Sequence, residues 1–580
     1  MHAAEVPAAH VAKIAKAVLD QFGRDKLDEV TKRLGGAGAS HEADVAHRTL
    51  NATGLRANVA IKAMSEPCKG LPVCYMTDYV SALASRGQLN RLCAGLSDIE
   101  MLRANSKLWE LLRVLYPTHE VFACFDDPAH PAQPETTFAC DIHTDEGRGQ
   151  KKVPMMCISS AASLGIGTLK QRATRSLPDK LALNFAGQTC GNRMVHVVAP
   201  KSYYDTDDST VFQAMCGHIA INCRLLLDEG FEYKGRTWCV AYIATLGDWP
   251  AHCKNGNFLR SFLNGVKNAS QTEEKLKGIC HICCAGIAGV PWEDVRLTAK
   301  SLQTIGLVEA WDEDSAFLPL CTYSGQRHLC FPPDIWHGWA LGWGKETSAS
   351  SVVATLRFYP GSKADDRVAA ANANLQAYLK TSGDSTSFAV LSRSKLGWES
   401  ELAFPKGSWS KAEDTRIILQ WQIKWLQTNR ESWHGDKMLE IVLPAFQAID
   451  SVFSSLYSHG YFIPGHDGLV IAKNGLSFLN MMQDCIKLCM LGGEGPLNLF
   501  KQQPKMHMMF HAFAQMHIQC EKCGFCQNPL SQSCQMPEDL IGKVCRLSRR
   551  VDYRLVSKRT LQCYLICAGM QWLIPYVYED

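Results

Sequence analysis

Two aspartates in this sequence follow short apolar runs of strand character: Asp145, in His143-Thr-Asp-Glu-Gly-Arg-Gly149, and Asp248, in Leu246-Gly-Asp-Trp-Pro-Ala251. Carboxylates at strand ends can converge on Mg²⁺, and a pair of such ions stabilises both the attacking and the leaving oxygen in phosphoryl transfer. Asp141 lies in the same first strand and competes with Asp145 for the role. Aspartate after a strand is most often a turn former or a helix cap, so position alone does not assign the chemistry.

Thiols supply a second set of candidates. Cys280-His-Ile-Cys283, followed by Cys284, has the C-x-x-C spacing that binds one Zn²⁺ and needs two further ligands to close a tetrahedron. Asp334-Ile-Trp-His337 offers a second half-site, since on a helix Asp334 and His337 stand one turn apart on one face. Cys321 and Cys330 compete for a place in that shell. Cys520-Glu-Lys-Cys523-Gly-Phe-Cys526, with Cys534 and His517 nearby, also has zinc-like spacing. A redox pair or a set of buried thiols is the alternative there. Near the C-terminus Arg546, Arg549, Arg550, Arg554, Lys558 and Arg559 fall along one stripe if the segment is helical, suited to phosphate contact or simply to solvent.

The elements that must position these residues divide the chain by character. Val11, Ile14, Ala15, Val18, Leu19 and Phe22 recur at helical spacing, and Ser97-Asp-Ile-Glu100 is a capping box for a helix through Leu112 that stops before Pro117. A helical region of about 115 residues is therefore expected first. Phe138 to Thr144 reads as a strand, Gly147 and Gly149 as a turn, and Val153 to Ile158 as the returning strand. Ala220 to Leu227 reads as a helix and Thr237 to Thr245 as a buried strand. Helical patterns return over Thr415 to Leu426 and Leu439 to Tyr457, and Leu34 is followed by a short GGAGAS linker.

Composition limits the classes available. With 580 residues, of which 46% are hydrophobic, the chain can bury a sizeable core, which excludes a disordered or collagen-like protein. A formal net charge of +3 means that any nucleic-acid surface must be local. The 25 cysteines fit a reduced interior, because the first 20 residues lack the basic and apolar regions of a secretory signal. The expectation is an intracellular protein, not secreted. The most apolar C-terminal stretch, broken by Gln562, Gln571 and Pro575, is too short to span a membrane, so no membrane partner is expected.

Taken in order, the acid after the first strand, Gly247-Asp-Trp-Pro-Ala251, Cys280-x-x-Cys283, Asp334-x-x-His337 and Pro504-Lys-Met-His507 resemble cut-and-paste DNA transposases of the CACTA-type superfamily. Glu146-Gly-Arg-Gly149 and Gly247-Asp-Trp-Pro-Ala251 are also similar to phrases of repeated, transposon-like protist proteins. The resemblance covers about Phe122 to Leu565 and departs from the family in having Asp334 where Cys-x-x-His is more zinc-like, and in showing no DNA-binding zinc finger near the N-terminus.

The resemblance implies an α/β fold: an RNase H-like mixed-sheet core with a helical N-terminal region and an insertion that is part zinc-bearing and part helical. Its divisions would be 1–120 helical, 121–260 first part of the core, 261–360 the Cys/His insertion, 361–500 a helical insertion, and 501–580 the end of the core with a basic helix. It implies a DDE acid triad of Asp145, Asp248 and Glu538, with Asp539 as the fallback for the third. Magnesium would be catalytic, and zinc structural on Cys280, Cys283, Asp334 and His337. Arg546, Arg549, Arg550, Lys558 and Arg559 would hold DNA. The implied activity is DNA cleavage and strand transfer in the nucleus, by a protein that could self-associate. A domesticated descendant that binds DNA or protein without cutting is the alternative, and a cysteine-dependent enzyme a more distant one.

Overall fold

The computed structural model describes residues 8–23, 25, 28–35, 49–50, 52, 54–174, 181–185, 189–205, 210–262, 264, 277–311, 313–491 and 498–574. The GGAGAS linker beyond Gly35 and Pro575 lie outside them. The chain is mixed α/β and forms two compact units. One comprises Met1–Asn257, Asp312–Pro332 and Cys534–Asp580; the other comprises Phe258–Trp311 and Pro333–Ser533.

The first unit opens with helix α1 (Ala8–Phe22) and, further on, α2 (Asp98–Leu115). Glu100 accepts hydrogen bonds from the Ser97 backbone N–H at 3.1 Å and hydroxyl at 2.7 Å, which fixes the start of α2. The region before residue 120 also contains turns and a short antiparallel ladder over 62–63 and 72–73, so it is less uniformly helical than its periodicity predicts. Five strands follow: β1 (Thr137–Arg148), β2 (Pro154–Ala162), β3 (Arg193–Pro200), β4 (Phe231–Tyr233) and β5 (Arg236–Leu246). They form one sheet in the order β3-β2-β1-β5-β4. The first three make an antiparallel meander; helix α3 (Thr210–Asp228) then carries the chain across to β5, which lies parallel to β1. Residues 137–144 of β1 are all buried, so the strand reads as a nearly continuous apolar run with only a loose alternation. Helix α4 (Trp249–Gly256) begins immediately beyond β5.

The second unit is largely helical, with α5 (Ala412–Thr428), α6 (Lys437–Leu456), α7 (Gly465–Met490) and α8 (Lys505–Cys523). The periodicities at Thr415 to Leu426 and Leu439 to Tyr457 correspond to α5 and α6. Helix α6 packs on α5 and α7, and α7 packs on α8. At Gly475 a Cβ would lie 2.6 Å from the Phe513 ring, so only glycine permits that approach of α7 to α8. Strands β6 (Phe462–Pro464) and β7 (Phe525–Gln527) pair antiparallel beside them. Helices α3 and α6 are long and apolar enough to cross a membrane, which the sequence reading did not single out. Each packs inside its own unit, α3 on β5 and α6 between α5 and α7.

From Cys534 the chain rejoins the sheet unit through α9 (Gln535–Ser548) and α10 (Val556–Trp572). Helix α9 packs on β1 and β2, and α10 on β3. Gly147 is not in a turn as predicted; it pairs with Met155 inside the β1–β2 ladder. Its lack of a side chain has a different cause, because a Cβ there would fall 2.4 Å from Cys545 Sγ and 2.5 Å from Ile541 on α9. Residues 501–533 group with the second unit and 312–332 with the sheet unit, a finer interleaving than the expected divisions.

Candidate functional site

Strand β1 places Asp141, His143 and Asp145 on one face by its two-residue period. Its parallel register with β5 pairs His143 with Leu246, and continuing that register sets Asp145 level with Asp248. Asp248 is the N-cap of α4: its carboxylate accepts the Ala251 N–H at 2.8 Å, and Pro250 occupies the first turn. The helix-cap role and the strand-end position thus belong to the same residue. Glu538 arrives from the first turn of α9, whose N-cap Cys534 is buried against Ala244 and Leu246 of β5. Ligand atoms of His143, Asp145 and Glu538 lie within 4.8 Å of one another. Burial, the hydrogen-bonded Glu538 carboxyl and the Asp248 carboxylate hold the Asp145 carboxyl well above the usual carboxylate range. This crowding of like charge is what a bound cation relieves, and the carboxylate-rich donor set suits a divalent ion.

The alternatives for the first and third acids are engaged with other partners. The buried Asp141 carboxyl accepts the Ser163 hydroxyl at 3.0 Å, and burial pushes it up to about 7. Asp539 accepts hydrogen bonds from Thr189 Oγ1 and Lys543 Nζ, both at 2.7 Å; although burial opposes ionisation, those partners hold it below the usual range.

The second unit contains a cluster of a different kind. Cys280 and Cys283 meet His507 and His511, all four buried. Cys283 Sγ is 3.2 Å from His507 Nε2 and 3.3 Å from His511 Nε2, while Cys280 Sγ is 3.5 Å from His511 Nε2. Tetrahedral Zn²⁺ with bonds of about 2.3 Å to sulfur and about 2.1 Å to nitrogen needs S···N edges of roughly 3.6 Å, close to these values. The two histidines face the cysteines together because they are four residues apart on α8. The thiol pair sits in a knuckle where Ile282 N–H points at Cys280 Sγ (3.3 Å) and Ala285 N–H at Cys283 Sγ (3.4 Å). His507 Nδ1–H donates to the Trp292 carbonyl at 3.1 Å, which leaves Nε2 for a ligand. The Arg260 guanidinium braces the loop through the carbonyls of Cys280, Val308 and Glu309 at 2.7–2.9 Å. These four residues could hold a metal ion such as zinc.

Asp334 and His337 are not in that cluster, which corrects the expected ligand set. Asp334 caps a four-residue helix through the Trp336 N–H at 2.8 Å, and its other oxygen accepts from His337 Nδ1 at 2.6 Å. The physical reason is that the i, i+4 histidines of α8 fill the two positions facing Cys280 and Cys283, while Asp334 and His337 are bonded to each other. Cys321 and Cys330 belong to the sheet unit, with Cys330 Sγ 3.5 Å from Thr245 Oγ1 of β5. Cys520 and Cys526 pair as thiols at the α8–β7 junction, and among the described residues no group of three metal ligands includes them.

The basic residues do not form one helical stripe. Arg546 ends α9, Arg549 and Arg550 follow it, Arg554 lies in a short turn of helix, and Lys558 and Arg559 open α10. Arg546, Arg549, Arg550, Arg554 and Lys558 are exposed and Arg559 is half-buried. Arg549 Nη2 donates to the Arg148 carbonyl at 2.7 Å, at the same end of β1 as Asp145. Lys254 reaches Glu146 at 3.3 Å beside it. The sequence reading passed over His143, His507 and His511 as ligands. The signals were present as H-x-D in a strand and H-x-x-x-H in a helix.

The sequence matches no protein-family model and no curated protein.

Proposed function

We propose that the chain is a transposase-like enzyme that cleaves DNA and transfers strands through Asp145, Asp248 and Glu538, on an RNase H-like core. One observation carries the reading: Asp145 and Glu538, distant in sequence, bring their carboxyl groups together, and Asp248 lies near enough to raise the Asp145 carboxyl further. The sheet supports it, with an antiparallel meander, a helical crossover and a fifth strand, β5, parallel to the first. Two divalent ions held there, magnesium among them, would activate the attacking oxygen and stabilise the leaving one. Asp145 and Glu538 share a hydrogen bond that the cation would replace, and Asp248 is fixed in place by its capping bond. Arg549 and Lys254, anchored at the same strand end, would take the DNA backbone, with Arg546, Arg550, Lys558 and Arg559 extending the contact. Zinc on Cys280, Cys283, His507 and His511 would hold the inserted unit together.

The test is strand transfer from a precut DNA end in Mg²⁺. Activity that Asp248→Ala and Glu538→Ala each abolish supports the reading. Activity unchanged in both variants, or DNA binding with no cleavage by the native chain, overturns it in favour of a descendant that binds without cutting.

A further inference from the structure

The acid centre contains a residue that a purely carboxylate site does not need. His143 is only 3% exposed, sits two residues before Asp145 on the same face of β1, and brings a ring nitrogen within 4.8 Å of ligand oxygens of both Asp145 and Glu538. Its place is fixed from both sides, by pairing with Ser159 of β2 and Leu246 of β5. The backbone that carries the imidazole is therefore held beside the carboxylates.

We propose that His143 is a direct nitrogen ligand of the cation at the acid centre, and that the centre therefore favours a divalent transition ion such as Mn²⁺ over Mg²⁺. The inference deepens the proposed function and rests on its metal, not on its DNA chemistry. Mg²⁺ holds to oxygen ligands and near-ideal octahedra, whereas Mn²⁺ accepts mixed oxygen and imidazole shells. Asp141, the remaining residue on that face, is engaged with Ser163 and leaves the three-residue set as His143, Asp145 and Glu538. The competing role for His143 is a protonated counter-charge to the two acids, which would be displaced by a cation rather than bind it.

The experiment uses the full chain with one equivalent of zinc, titrated with Mn²⁺ and followed by electron paramagnetic resonance. Pulsed spectra of the bound ion should show ¹⁴N modulation. That modulation should vanish in His143→Ala, with Mn²⁺ affinity lowered about tenfold or more and the preference for Mn²⁺ over Mg²⁺ reduced. Glu538→Gln, as a control, should remove the bound-Mn²⁺ signal, which separates this centre from the Cys/His cluster. If the alanine variant does not fold, His143→Gln gives the same comparison. Bound Mn²⁺ without ¹⁴N modulation, or with modulation that persists in the His143 variants, overturns the role of His143 and leaves the proposed function standing. No Mn²⁺ binding at all overturns both.

Discussion

The two compact units each contain a cluster competent to hold metal, and these two are built on opposite plans. In the inserted unit all four members are buried, and the donors are sulfur and imidazole held by backbone N–H groups and a carbonyl. In the sheet unit only His143 is fully buried; Asp145 and Glu538 are half-buried, and the donors are mainly carboxylate oxygens. Four buried ligands leave an ion no position for a substrate, whereas a half-open carboxylate site does. The contrast separates a closed cluster suited to structure, a staple, from an open one that a substrate could reach.

The strongest way to break the comparison is to remove the staple. Cys280→Ser or His507→Ala should lose one zinc per chain by elemental analysis and lower the melting temperature by about 10 °C or more, or leave the inserted unit unfolded. A chelator should do the same to the native chain. A variant that keeps its melting temperature would make the cluster dispensable to folding. The acids should behave oppositely: Asp145→Asn and Glu538→Gln should cut strand transfer about 10³-fold while melting no lower than the native chain, because each relieves like-charge crowding. Asp539→Asn, which loses only Lys543 and Thr189, should fall well short of that loss in activity.

Acid sensitivity sharpens the contrast further. His196 is buried in β3 between the Ser160 hydroxyl at 2.7 Å and the Cys74 carbonyl at 2.8 Å, and burial pushes it down to about 4. The unfolded chain takes up a proton near pH 6.5 that the folded chain refuses until about pH 4, so stability is lost as pH falls through that window, by about 3 kcal/mol at most for this one group. His196→Gln should make the fall in stability between those pH values shallower by about one proton, measured in chelator so that the zinc cluster does not contribute. The smallest effects belong to the surface: Arg546→Ala or Arg550→Ala should each weaken DNA binding less than tenfold and reduce the salt dependence of binding by about one unit of slope.

What could be read from the sequence follows from how local each signal is. The capping box at Ser97, the strand ending before Gly247-Asp248 and the C-x-x-C knuckle depend on neighbours within a few residues, and they are visible as patterns. Asp248 was legible as a strand-end acid for the same reason, whereas Asp145 lies inside β1, which runs on to Arg148. The missing half of each cluster was not. His507 and His511 carry a clear i, i+4 spacing, yet nothing local says that this face of α8 meets Cys280 and Cys283 rather than Asp334 and His337. Gly147 shows the converse failure, a glycine whose cause is a helix hundreds of residues away and not a turn in its own segment. His143 was hidden because in a strand buried on both faces a histidine resembles any other core residue.

The interleaving of the two units has a consequence for biosynthesis. Strand β1 leaves the ribosome early with Asp145 in place, and β5 follows with Asp248, but Glu538 is translated only after the entire inserted unit. At translation rates of about 5–20 residues per second the nascent sheet waits tens of seconds for its last acid. A chain interrupted before Cys534 would carry the whole Cys/His cluster and an incomplete acid cluster. Order of synthesis thus delays completion of the acid cluster until the inserted unit has been made.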